Sequence, residues 1–281
     1  MFARVKTKIK KENRLMKKLI MLGTGNGGTL DLYNTCFVIQ NDNGNFLVDT
    51  GGSIEIIKRL NNVNIDIRNL KHIFVSHSHT DHILGLIWIF KKLGRAAING
   101  EIKTKINIYC NDIVYESIIG VSRHVLPEKL VEGVLSIIEF HILKDGEEKN
   151  INGINYKFFD IKPRKTKQFG FECIINNKRL LFLGDETLNQ DLYETVRGAE
   201  YVMHEAFCLD SEENIFHAYE KCHSTVKSVS EVMNILDVKN LILYHTEDSH
   251  GNERKKLYTQ EAKESFKGNI YVPDDMDIIE L

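Results

Sequence analysis

FVSHSHTDHILG, residues 74–85, closes an apolar run with three histidines and an aspartate between positions 77 and 82. The preceding HIFVS reads as a strand, and side chains just past its end alternate, so His77 and His79 can point the same way. Asp81 and His82 open a segment of helical spacing, HILGLIWIFKKLG, and can face a second point close by. Neutral imidazoles and carboxylates are the donors that first-row divalent metals accept. A lone histidine reads as an ordinary surface or core residue. This cluster predicts a metal centre that leaves a position for water.

Outward from that stretch, short β-type runs recur: KLIML, TCFVIQ, NFLVD, HIFVS, KINIYC, IIEFHI, INYKFFDI, FGFECII, RLLFLGD, EYVMHEA, LILYHT and NIYVPDD. Segments of helical spacing alternate with them, clearest in SIEIIKRLNN, HILGLIWIFKKLG, DLYETVRG, STVKSVSEVMNILD and TQEAKESFKG. With three prolines, no low-complexity linker and no repeat, residues 18–281 read as one α+β domain, rich in strands, with helices outside. Residues 1–17 are a basic extension, expected to be flexible. They read as a solvated tail, an RNA-binding arm or a leader before a start at Met16.

Composition excludes several classes. Against 37 basic residues stand 39 acidic ones, so no global charge draws the chain to nucleic acid or membrane. Five cysteines, scattered without CxxC spacing, indicate neither a disulfide framework nor a thiolate zinc site, and suit a reducing cytoplasm. The N-terminus carries no apolar stretch longer than LIML, which argues against a signal peptide or membrane span. GTGNGG, residues 23–28, matches the dinucleotide fingerprint GxGxxG. The next residues, TLDLYNTCFVIQ, read as loop then strand, with no helix N-terminus to receive a pyrophosphate, so a tight turn beside another site is expected.

HSHTDH resembles the HxHxDH motif of the metallo-β-lactamase superfamily. NFLVDTGG (45–52) resembles its structural aspartate turn, LLFLGD carries Asp185 where the family has a bridging aspartate, and LILYHT carries His245 where it has the last histidine. The likeness spans about residues 18 to 280 and implies a four-layer αββα sandwich. Within the superfamily, VMHEAF and CHSTVKS are similar to the HEAT and HST motifs of ribonuclease Z, the tRNA 3′-end endonuclease.

The resemblance implies metal ligands His77, His79, Asp81, His82, Asp185 and His245, and a catalytic set of Asp81, Glu205 and His223. A hydroxide activated by Zn²⁺, or by Mn²⁺, would attack phosphorus in a phosphodiester, either an RNA such as tRNA or a smaller molecule. His223 is the expected general acid and Glu205 its orienting carboxylate or, alternatively, a buried tie between loops. His204 is expected in the core or capping a loop. A homodimer is compatible with this reading, and a membrane partner is not implied. The alternatives are a hydrolase of a lactone, thioester or amide, and a binding protein with a decayed centre.

One element of the family pattern is missing. The third histidine of the first metal site should precede an aromatic–Gly–aromatic segment, and here KFFDIKPRKTKQFGFEC contains none. Lys162 is the expected equivalent, with Arg164 the alternative; His124 and His141 lie too far upstream. An ammonium has no lone pair for a metal. At about 4 Å and an effective dielectric of about 20, a divalent ion repels it by roughly 8 kcal/mol. Three outcomes follow: Lys162 points away and leaves a weak site of His77, His79 and Asp185, it deprotonates at a cost, or its ammonium takes the position and contacts substrate phosphate; the expectation is an asymmetric centre, with one tight metal and one weak or absent. The lysine-rich arm of ribonuclease Z is also not found between Arg95 and Asn150, although KPRKTKQ (162–168) could meet a phosphate backbone.

Overall fold

In the computed structural model, residues 17–102 and 104–281 are described; most of the basic extension, residues 1–16, lies outside them. Two seven-stranded sheets organise the chain. The first contains β1 (Lys18–Gly23), β2 (Cys36–Asn41), β3 (Gly44–Val48), β4 (His72–Val75), β5 (Ile106–Cys110), β6 (Ile138–Ile142) and the late β14 (Ile278–Glu280), in the order β14-β1-β2-β3-β4-β5-β6. The second contains β7 (Glu148–Ile151), β8 (Ile154–Asp160), β9 (Phe169–Ile175), β10 (Lys178–Phe182), β11 (Tyr201–Glu205), β12 (Asn240–Tyr244) and β13 (Asn269–Tyr271), in the order β13-β12-β11-β10-β9-β8-β7.

Many strands read as unbroken apolar runs because both faces are buried. Leu19 and Met21 of β1 point between the sheets, where they join Phe37, Phe46, Phe74, Phe158, Phe171 and Phe182. The alternate residues Ile20 and Leu22 point outward, into a layer with Leu60, Leu86, Phe90, Val114 and Val134. That layer is helical: α1 (Glu55–Asn62), α2 (Thr80–Ile98), α3 (Asp112–Val125) and α4 (Glu128–Leu135). On the second sheet, Val202, Leu241 and Leu243 pack against Val229, Met233, Tyr258 and Ala262. These helical residues come from α7 (Val226–Ile235) and α8 (Arg254–Ser265), while α5 (Tyr193–Val196) and α6 (Glu213–Phe216) are short turns of helix. Helix, sheet, sheet, helix is the expected αββα order.

Local details depart from the sequence-based expectation. DLYETVRG yields only the four residues of α5 after a 3₁₀ turn at Gln190–Leu192, because Leu192 and Val196 alone are buried there. The edge strands β7 and β14 carry no clear strand pattern in the sequence, being short and half exposed. Helix α8 begins at Arg254, five residues before the apparent start at Thr259, since the buried Arg254 occupies the core face of its first turn.

The topology puts one end of both sheets to use. Strands β3 and β4 are parallel, as are β10, β11 and β12, so the loops after β4, β10, β11 and β12 emerge together. Phe169 at the start of β9 donates its N–H to the Ser76 carbonyl just past β4, at 3.1 Å, which joins the sheets at this rim.

Candidate metal centre

The four loops bring the predicted residues together. One ligand atom from each of Asp81, His82, Asp185 and His245 lies within 4.8 Å of the others, and so do those of His77, His79 and Asp185. Asp185, three residues past the end of β10, belongs to both groups. Its Oδ2 sits 3.3 Å from His77 Nε2, 3.3 Å from His82 Nε2 and 3.4 Å from His245 Nε2. His77 Nε2 and His79 Nδ1 approach within 3.0 Å, and Asp81 Oδ2 lies 3.2 Å from His82 Nε2.

Buried supports aim these groups. Asp49, just past β3 and at φ +54°, accepts the N–H of Ser76 (2.8 Å), the Ser76 hydroxyl (2.7 Å) and His82 Nδ1 (2.8 Å). Committing Nδ1 as donor leaves the Nε2 lone pair of His82 facing Asp81 and Asp185. Asp81 sits in the first turn of α2, where the helix dipole favours its negative charge. Burial alone would raise Asp81 and Asp185, yet the surrounding imidazoles hold both carboxyls well below the usual range.

Close packing sets the loop positions. A Cβ on Gly85 would stand 1.9 Å from the Thr50 carbonyl oxygen, so only glycine lets α2 lie against the turn that follows Asp49. In GTGNGG, a Cβ on Gly27 would meet the Asp81 carboxylate at 3.1 Å. No helix comes after that motif; it is a turn beside the centre, as the residues after it indicate.

Two buried atoms test whether a cation suits the cluster. Among the described residues His82 Nε2 and His245 Nε2 have no hydrogen-bond partner, and both converge on Asp185 Oδ2. Unsatisfied buried nitrogens are costly, and a metal would satisfy both lone pairs at once. The donor set fits a divalent ion.

At the position of the missing histidine, the arrangement is the first of the three expected outcomes. Lys162 is exposed, at φ +58°, with its backbone N–H on Asp160 Oδ1 (2.7 Å); Arg164 is exposed, with its backbone N–H on Glu186 (2.7 Å). From this segment it is Gln168, wholly buried, that reaches Asp185. Its amide N–H₂ donates to Asp185 Oδ1, and its carbonyl accepts the Asp185 N–H at 2.9 Å. Gln168 thus fixes one carboxylate oxygen and leaves Oδ2 for the imidazoles. Sequence reasoning passed over it; the signal available was a polar side chain directly before the apolar strand FGFECII. His124 bonds the Gly120 carbonyl within its own helix, and His141 stacks on Tyr109.

Beside the cluster lies the second predicted pair. Glu205 ends β11 fully buried, with Oε1 accepting the Ser224 N–H at 2.6 Å and Oε2 3.7 Å from His223 Nδ1. Neither Oε2 nor Nδ1 has a hydrogen-bond partner among the described residues, 3.7 Å being too long for a bond between them. The His223 ring stacks on Phe207 at 4.7 Å and stands 5.1 Å from that of His245. Burial pushes Glu205 well up and His223 down to about 3, which favours the neutral form of each. His204 points away, buried, with Nδ1 on the Glu205 carbonyl at 2.7 Å.

Comparison with known proteins agrees with this architecture. A family profile described as "Anti-Pycsar protein Apyc1" matches residues 17–264. Ribonuclease Z of Macrococcus caseolyticus (strain JCSC5402) is 24% identical over 311 aligned positions, covering 92% of this chain and 97% of that protein. The metallo-β-lactamase fold protein YhfI from Bacillus subtilis superposes with a TM-score of 0.75 at 14% identity, over 94% of this chain and 99% of that one. The short form of human tRNase Z gives 0.66 at 19% identity, over 93% and 98%.

Proposed function

The chain belongs to the family of the anti-Pycsar protein Apyc1 and is a metal-dependent hydrolase of the metallo-β-lactamase fold, and from that premise we propose that the bond it cleaves is a phosphodiester. The observation that carries this reading is the His223–Glu205 pair at the edge of a cluster suited to divalent cations. Departure of an alkoxide from phosphorus needs a proton, and this pair holds one beside the cluster.

Divalent ions, when bound, supply Lewis-acid stabilisation of phosphoryl oxygens and a nucleophile at neutral pH. Asp81, His82, Asp185 and His245 would hold one ion tightly, and His77, His79 and Asp185 a second more weakly, since no third imidazole among the described residues completes that group. The imidazole-rich set suits Zn²⁺, with Mn²⁺ the alternative.

Burial favours the neutral forms of both groups, and the 3.7 Å gap between them has to shorten before a proton can pass across it. With Glu205 protonated toward Nδ1, His223 carries its own proton on Nε2. As Nε2–H passes to the leaving oxygen, Nδ1 takes the Glu205 proton, so no buried imidazolium has to form first. Ser224 N–H holds the other Glu205 oxygen, which orients the carboxyl for this transfer.

The substrate we favour is compact. The described residues from Arg95 to Asn150 form the end of α2, then β5, α3, α4, β6 and most of β7, and no RNA-gripping arm projects from them. Ribonuclease Z likeness keeps an RNA end as the larger candidate. Hydrolysis of bis-p-nitrophenyl phosphate by the Zn²⁺- or Mn²⁺-loaded protein tests the bond; processing of a tRNA precursor tests the larger substrate. Turnover of a lactone or thioester without any phosphodiester turnover would overturn the reading. Among the described residues no helix is long and apolar enough to cross a membrane.

A further inference from the structure

The segment 162–167 carries four cations, and their surroundings separate them. Lys167 is neutralised by Asp112 at 2.8 Å. Lys162 and Arg164 make no side-chain ion pair among the described residues. Lys165 differs from both, being held in place without being neutralised: its Nζ donates to the Lys221 carbonyl at 2.8 Å, and no carboxylate pairs with it among the described residues.

The backbone beneath Lys165 is also fixed. Arg164 and Lys165 turn their N–H groups onto the Glu186 carboxylate, at 2.7 and 3.4 Å, and Glu186 is 6% exposed and adjacent in sequence to Asp185. Thr187 donates its N–H to the Cys222 carbonyl at 3.0 Å. Three segments, 162–168, 185–187 and 221–223, therefore share one frame, and they carry the cationic side chain, the Asp185 carboxylate and the His223 imidazole respectively. An ammonium has three donors, and only one is used here. A fixed, unneutralised cation on the frame that carries Asp185 and His223 is suited to hold an anion there.

We infer that Lys165 binds a non-bridging phosphoryl oxygen of the substrate, with Glu186 as the positioning residue that holds the loop; this rests on the phosphodiester reading. It gives the departure from the family pattern a use: a cation on the loop that lacks the third histidine contacts the phosphate directly.

The test uses the metal-loaded full chain, with KM and kcat for bis-p-nitrophenyl phosphate and calorimetric binding of inorganic phosphate. Lys165→Ala should raise both KM and the phosphate Kd by about tenfold, the loss expected for one charged hydrogen bond. Metal content and melting temperature should not move, and Lys165→Arg should recover most of the loss. Glu186→Ala should raise the same two quantities, and the double variant should add little to either single one. An unchanged phosphate Kd in Lys165→Ala, or no phosphate binding by the wild-type protein, would overturn the inference and leave Lys165 as a tie between loops. If the wild-type protein binds phosphate but cleaves no phosphodiester, the functional reading fails while the phosphate comparison still decides Lys165.

Discussion

Asp49 Oδ2 lies 2.8 Å from His82 Nδ1, and that bond decides which nitrogen of His82 faces the metal cluster. Asp49 serves three donors at once, the other two being the N–H and hydroxyl of Ser76. Asp49→Asn removes one acceptor and frees the imidazole to turn. Metal affinity, measured by competition with a chelator, should fall about 10- to 100-fold, the usual cost of losing such a support. Retention of wild-type affinity would show that His82 is held by other contacts.

His223→Ala should lower kcat by about 10² to 10⁴, the range for a lost general acid, with metal content unchanged. Glu205→Gln should also lower kcat, and the double variant should lose little more than His223→Ala, the outcome expected of the proposed pairing. Loss of metal from His223→Ala would instead make that residue a ligand or a structural element.

Gln168 and Lys162 make opposite predictions. Gln168→Ala strands the Asp185 N–H and one carboxylate oxygen, so the urea midpoint should drop by the equivalent of about 1–3 kcal/mol. Metal occupancy should fall with it. Lys162→Ala, at an exposed position, should leave both unchanged. A rise in metal occupancy in Lys162→Ala would restore that lysine to the centre.

Burial pushes the His204 imidazole down to about 4, from 6.5 in the unfolded chain. Its contribution to stability is therefore complete above pH 6.5 and is lost as pH falls toward 4, because the unfolded state binds the proton first. Between pH 7.5 and pH 5 the loss from this group is about 2 kcal/mol. His204→Gln should show a correspondingly shallower acid loss in chelator-treated protein, read from urea midpoints at the two pH values. Equal slopes for the two proteins would mean that His204 is not held neutral by burial.

How far the sequence reached depends on the distances between residues along the chain. His77, His79, Asp81 and His82 share one loop and one helix start, so strand alternation followed by a helical turn was enough to aim them at two nearby points. GTGNGG could be set aside locally as well, since a pyrophosphate site needs a helix and the next residues lack the pattern for one. The recurring β-type runs indicated a strand-rich domain with helices outside, and family likeness supplied the order of the layers.

What the tertiary structure decided concerns pairs far apart in the chain. Gln168 meets Asp185 only because β9 and β10 are hydrogen-bonded neighbours in one sheet. Lys165 reaches the Lys221 carbonyl only because the loops after β8 and β11 emerge at the same rim. The exposure of Lys162, which picks one of the expected outcomes, has the same origin: its backbone N–H is taken by Asp160, and the loop is held by Glu186. By itself the sequence determined the donor atoms and the strand and helix periods, which are properties of single residues and their near neighbours. Which donors meet, and which proton each one carries, is set by how the sheets stack and by burial, and no local pattern encodes either.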